Sequence, residues 1–118
     1  MTRRLLLLSN STNHGRGYLD HAIETVRAFF RPVERLVFVP FALHDREGYT
    51  AKARERFARE GIQLEALRAD ESGRRLLADA SGVFVGGGNT FRLLDLLQRS
   101  GALDVLRRRA RAGMPYLG

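Results

Sequence analysis

The sequence predicts an α/β fold built on a mainly parallel sheet with helices on both faces. Three observations carry that reading. Apolar runs of strand length alternate with amphipathic stretches of helix length in the order β-α-β-α-β-α-β-α-α-β, and such alternation calls for right-handed crossovers between parallel strands. The strand runs are apolar almost throughout, as strands covered on two faces are. Three polar or glycine-rich segments, residues 9–15, 41–48 and 86–90, each follow a strand run. Open parallel sheets place their sites outside the carboxyl ends of the strands. With 118 residues and no internal repeat or low-complexity linker, the chain reads as one domain or part of a larger one.

The first strand is Arg3-Arg4-Leu5-Leu6-Leu7-Leu8, expected to be covered on both faces, and it ends in the turn-forming residues 9–15. Leu19, Ala22, Ile23, Val26 and Phe30 recur at helical spacing, and Pro32 prevents continuation of that helix. Leu36-Val37-Phe38-Val39 is the second strand, closed by Pro40, with a loop expected over residues 41–48. A helix over 49–60 carries Tyr49, Ala53 and Phe57 on one face, and Gly61 sits where a C-terminal cap belongs. Residues 62–67 alternate, which suits a strand nearer the sheet edge. A short helix over 74–80 leads to Val83-Phe84-Val85. Beyond the glycines come a helix with Phe91, Leu94 and Leu97 on its apolar side beside Leu93 and Leu96, a break at Gly101, and a helix over 102–112. Residues 113–118 read as the start of another strand, with nothing following to cover it, so the chain is expected to be cut there.

Composition narrows the function classes. No apolar run approaches the roughly 20 residues of a membrane span, and Leu5 to Leu8 is too short for the apolar core of a signal peptide. With no cysteine there is neither a disulfide framework nor a thiolate metal site. The three histidines lack metal-ligand spacing, so no metal is expected. A cytoplasmic location is the expectation. A net charge of +7 raises nucleic acid as a partner. However, the arginines are spread along every helix, only Arg107-Arg108-Arg109 with Arg111 is dense, and aromatic residues do not alternate with that run. A solvated helix face is the reading, and no nucleic-acid or membrane partner is expected.

The stretch that organises the chain is Val83-Phe84-Val85-Gly86-Gly87-Gly88-Asn89-Thr90-Phe91. A short buried strand meets three glycines that let a ligand or another backbone come close, and Asn89 or Thr90 caps the next helix. Free N–H groups gather there, where an anion or a reaction oxyanion can sit. The spacing is neither that of a P-loop nor that of a dinucleotide fingerprint. Asn89 is open to two roles, substrate binding or capping. Asn10, Ser11 and Thr12 are likewise open, as pocket lining or as turn formers.

Three motifs together, Leu-Leu-Leu-Leu-Ser-Asn-Ser-Thr from Leu5 to Thr12, Val39-Pro40-Phe41-Ala42, and Val85-Gly86-Gly87-Gly88-Asn89-Thr90-Phe91, closely resemble the peptidase E family of serine peptidases, which also contains cyanophycinase. The resemblance runs over essentially the whole chain. It implies a fold related to class I glutamine amidotransferases, of the flavodoxin-like kind, and hydrolysis of dipeptides with an amino-terminal aspartate. No cofactor is implied. Gly88 with Gly87 is the implied oxyanion hole, with Asn89, Asn10, Ser11 and Thr12 as substrate-binding candidates. The resemblance places the nucleophilic serine two residues beyond Gly118, and the histidine and acidic residue further on, so this chain matches only the amino-terminal half and is expected to be inactive alone. No serine within it stands in a G-x-S-x-G frame. Two partner expectations follow: association with a carboxyl-terminal segment, or a homodimer, through a bare sheet edge beside Tyr116. The alternative to an enzyme is a non-catalytic module that binds an anion, a nucleotide or nucleic acid.

Overall fold

The computed structural model describes residues 4–7 and 23–118. Within them ten elements follow one another: β1 (Leu5–Leu6), α1 (Ile23–Phe30), β2 (Arg35–Val39), α2 (Arg46–Ala58), β3 (Gln63–Ala66), α3 (Glu71–Ala78), β4 (Val83–Val85), α4 (Thr90–Arg99), α5 (Ala102–Arg111) and β5 (Tyr116–Leu117). The strands form one sheet in the order β1-β5-β4-β2-β3, and every described pair is parallel. This is the expected fold class, with helices on both faces.

Side-chain alternation along the strands sorts the core into two layers. Leu36 and Phe38 of β2, Phe84 of β4 and Leu117 of β5 point to one face, where Val26 and Phe30 of α1 and Tyr49, Ala53 and Phe57 of α2 cover them. Val37, Val39, Val83 and Val85 point to the other, under Leu77 of α3, Leu97 of α4 and Val105 and Leu106 of α5. Phe38 anchors the first layer, its ring edge-on to Tyr49 at 5.1 Å and 5.2 Å from Phe84. On the same face Arg27 and Glu60 form an ion pair at 3.1 Å that ties α1 to the residues after α2.

Several boundaries differ from the sequence reading. Helices α2 and α3 start three residues earlier than expected, for one shared reason. Each opens on Asp-x-x-Gly, and the Asp45 and Asp70 carboxylates accept the N–H of Gly48 and Gly73 at 2.9 and 3.1 Å. A Cβ on Gly48 would lie 2.2 Å from Asp45 Oδ2, and one on Gly73 1.9 Å from Arg68 O, so these glycines belong to capped first turns instead of loops. Phe41 and Ala42, read as loop, are buried. The first strand was expected to be covered on both faces; β1 instead lies at the edge of the sheet among the described residues, with Leu5 50% and Leu7 72% exposed. The expectation of a bare edge beside Tyr116 is also corrected, because β5 is paired with β1 on one side and β4 on the other. On α4 the buried stripe is Leu93, Leu96 and Leu97, while Phe91 (86% exposed) and Leu94 face solvent. Gly61 does end α2 as expected, with φ +74° and its N–H on Ala58 O.

Candidate functional site

The site begins with sheet topology. β2 continues into α2 on one face and β4 into α4 on the other, so the chain diverges at the carboxyl ends of these two adjacent strands. Such a divergence opens a crevice. The β4 side of it is Gly86-Gly87-Gly88-Asn89 and the β2 side is Pro40-Phe41-Ala42-Leu43-His44.

Two hydrogen bonds hold the walls together. Gly86 N–H donates to Val39 O at 3.0 Å and Asn89 N–H to Ala42 O at 2.9 Å. The two residues between them, Gly87 and Gly88, are exposed, and among the described residues no backbone carbonyl accepts their N–H groups. Each glycine is there for a different reason. Gly86 rests on the Tyr49 ring, where a Cβ would come within 2.5 Å of the hydroxyl. Gly88 has φ +144°, and a Cβ on it would lie 2.8 Å from Leu43 Cδ2 and 2.9 Å from Ala42 O. Gly87 has open space instead, with nothing within 4 Å of the Cβ position. Two adjacent N–H groups without backbone acceptors among the described residues thus stand at the head of a helix, with open space on the Cβ side of Gly87, an arrangement that suits a carboxylate or an oxyanion.

Asn89 is the N-cap of α4, its side-chain oxygen accepting the Arg92 N–H at 3.1 Å. Capping occupies that oxygen and leaves the side-chain NH₂ as a donor beside the glycines. Arg92 reaches back over the crevice, its guanidinium 3.5 Å from His44 Nδ1. That contact was missed in the sequence, since nothing in the spacing of His44 and Arg92 pairs them; only the adjacency of β2 and β4 does. Asn10, Ser11, Thr12, His14 and His21 lie outside the described residues. Strand β1, which precedes them, stands two positions from β4 with β5 between. Among the described residues no group of three or more His, Asp and Glu could hold a metal ion, and no helix is long and apolar enough to cross a membrane. The dense arginine run of α5 is divided by the fold. Arg107, Arg108 and Arg111 are exposed, whereas Arg109 turns inward and donates to Ala80 O.

Comparison with known proteins agrees with this architecture. The sequence pattern described as peptidase family S51 matches residues 5–118. Peptidase E of Streptomyces coelicolor is 49% identical over 114 residues, covering 97% of this chain and 47% of that protein. A Drosophila melanogaster protein named "probable alpha-aspartyl dipeptidase" is 41% identical over 119 residues, covering 98% of this chain and 50% of its own length. The chain therefore spans about half the length of the curated relatives it matches. A crystal structure of a Listeria monocytogenes EGD-e protein named for peptidase E superposes with a TM-score of 0.78 at 23% identity, covering 98% of this chain and 57% of that one. At that identity the superposition speaks for the fold, and the family match over residues 5–118 speaks for descent. This chain belongs to peptidase family S51.

Proposed function

We propose that this chain supplies the oxyanion-binding half of a serine-type dipeptidase acting on dipeptides with an amino-terminal aspartate. The observation that carries the proposal is the pair of N–H groups of Gly87 and Gly88 at the β2–β4 crevice, without backbone acceptors among the described residues and with open space beside Gly87. Attack on a peptide carbonyl turns its oxygen into an anion, and donors already aimed at that position lower the barrier by about 3–4 kcal/mol. The register supports a nucleophile close by: Leu117 is paired with Phe84, so a chain continuing from Gly118 would run alongside Gly86 and Gly87. The names of the relatives support the substrate class.

In this reading the Asn89 NH₂ and the Arg92 guanidinium meet the carboxylates of the substrate at the mouth of the crevice. The attacking hydroxyl, the base that takes its proton and the acid that orients the base come from outside these 118 residues, because no serine among them stands in an elbow frame. The test is a chimera in which this chain replaces the matched part of Streptomyces coelicolor peptidase E, assayed on Asp-Leu and Leu-Leu. Selective turnover of Asp-Leu, abolished by a serine-directed phosphonate and absent from the 118 residues alone, is expected. A folded chimera that cleaves neither dipeptide would overturn the proposal.

A further inference from the structure

Beside the glycine crevice the sheet has a second one. β3 leads to α3 on the face opposite α2, so the carboxyl ends of β2 and β3 also diverge. Between them lies a cleft of about 530 Å³, a volume ordinary for small-molecule sites. Pro40, Ala51, Ala66 and Leu67 give it apolar lining, and three arginines, Arg46, Arg54 and Arg68, line it together with Glu47 and Asp70.

The polar groups of this cleft are incompletely used by the fold. Thr50, only 6% exposed, lines the cleft. Arg46 and Glu47, neighbours on the first turn of α2, form no ion pair among the described residues. Arg68 forms an ion pair with Asp70, its Nε 3.6 Å from Oδ2, while Ser72 Oγ and the Gly73 N–H engage Oδ1. Arg54 is held in place through Nε on Leu64 O at 3.1 Å. The cleft thus offers Arg46 and Glu47 without ion pairs among the described residues, the Arg68–Asp70 pair at its rim and Thr50 beside an apolar floor.

We infer that this cleft is a binding site for an acidic amino acid, with Arg46 and Arg68 on its two carboxylates, Thr50 on a carboxylate oxygen and Glu47 on its ammonium group. A plain anion would leave Glu47 opposed, and a neutral amino acid would leave one arginine unused. The site is separate from the glycine crevice and stands whether or not the chain takes part in dipeptide hydrolysis.

The experiment is an amide-resolved NMR titration of the 118-residue chain at low ionic strength with L-aspartate, L-glutamate and succinate. Saturable shifts confined to the first turns of α2 and to residues 66–70, stronger for the amino acids than for succinate, are expected. Arg46→Gln with Arg68→Gln, both on exposed side chains, is expected to weaken binding about tenfold or more, and Thr50→Val about threefold. Arg107→Gln with Arg111→Gln on α5 removes the same charge elsewhere and is expected to change nothing. Absence of saturable shifts, shifts centred on residues 86–92, or equal weakening by the α5 pair would each overturn the assignment. The last of these would reduce the effect to the net charge of the chain.

Discussion

Gly87 and Gly88 are chain neighbours, and adding one methyl group separates their roles. At Gly88 a Cβ meets Ala42 O at 2.9 Å and Leu43 Cδ2 at 2.8 Å on a backbone with φ +144°. Gly88→Ala is therefore expected to destabilise by about 1–3 kcal/mol in urea unfolding. At Gly87 nothing lies within 4 Å, so Gly87→Ala is expected to change stability by less than about 0.5 kcal/mol. In the chimera the same methyl would stand where the substrate carbonyl approaches, and turnover is expected to fall while stability holds. A second residue-scale test concerns Asp70, whose carboxyl is held below its usual value of 3.8 by the Ser72 hydroxyl and then the Gly73 N–H. A depressed folded pKa contributes stability above the unfolded value and loses it as pH falls through the folded one. Asp70→Asn, which retains a capping side chain, is thus expected to be less stable than the parent at neutral pH. The gap should close below pH 3.8 in urea midpoints measured against pH. The glycines were legible in the sequence because three in a row admit few meanings. That Asn89 caps α4 was not, because capping and substrate binding call for the same residue type.

Among the elements, β3 shows how the sheet protects an edge. Gln63 N–H and Leu67 N–H donate toward β2, to Glu34 O and Phe38 O, so the backbone groups of Leu64 and Ala66 face away from it. Arg54 reaches down from α2 and occupies the outward carbonyl of Leu64. Arg54→Ala is expected to free that edge and raise concentration-dependent association, read by light scattering, with little change in monomer stability. The alternation over residues 62–67 foretold an edge strand correctly, since a half-exposed strand must show two unlike faces. Helix α4 was less legible. It carries two apolar stripes, Phe91 with Leu94 and Leu93 with Leu96 and Leu97, and periodicity alone cannot say which one meets the sheet. The early starts of α2 and α3 escaped notice because a glycine suggests a loop, whereas an aspartate three residues before it makes that glycine part of a first turn.

For the whole molecule, alternation of elements foretold parallel strands but not their order, because any order compatible with right-handed crossovers has the same linear pattern. The order matters most at β5. Tyr116 and Leu117 bridge β1 to β4, with Tyr116 N–H on Arg4 O at 2.9 Å and Gly118 N–H on Leu6 O at 3.0 Å. Leu117 is fully buried, and Leu117→Ala is expected to cost about 2–5 kcal/mol. Native-state hydrogen exchange should show Leu6 and Leu117 losing protection together, ahead of β2. The pairing of Leu5 with Tyr116 also sets a timetable during synthesis. β2, β3 and β4 can assemble among themselves as soon as they emerge, but among the described residues Leu5 and Leu6 have no neighbour in the sheet until Tyr116 and Leu117 have been made. At translation rates of about 5–20 residues per second, that wait is about 6–22 s. Through that interval Leu5 and Leu6 lack their strand partner, so a slower ribosome lengthens the time for which two apolar residues stand unpaired.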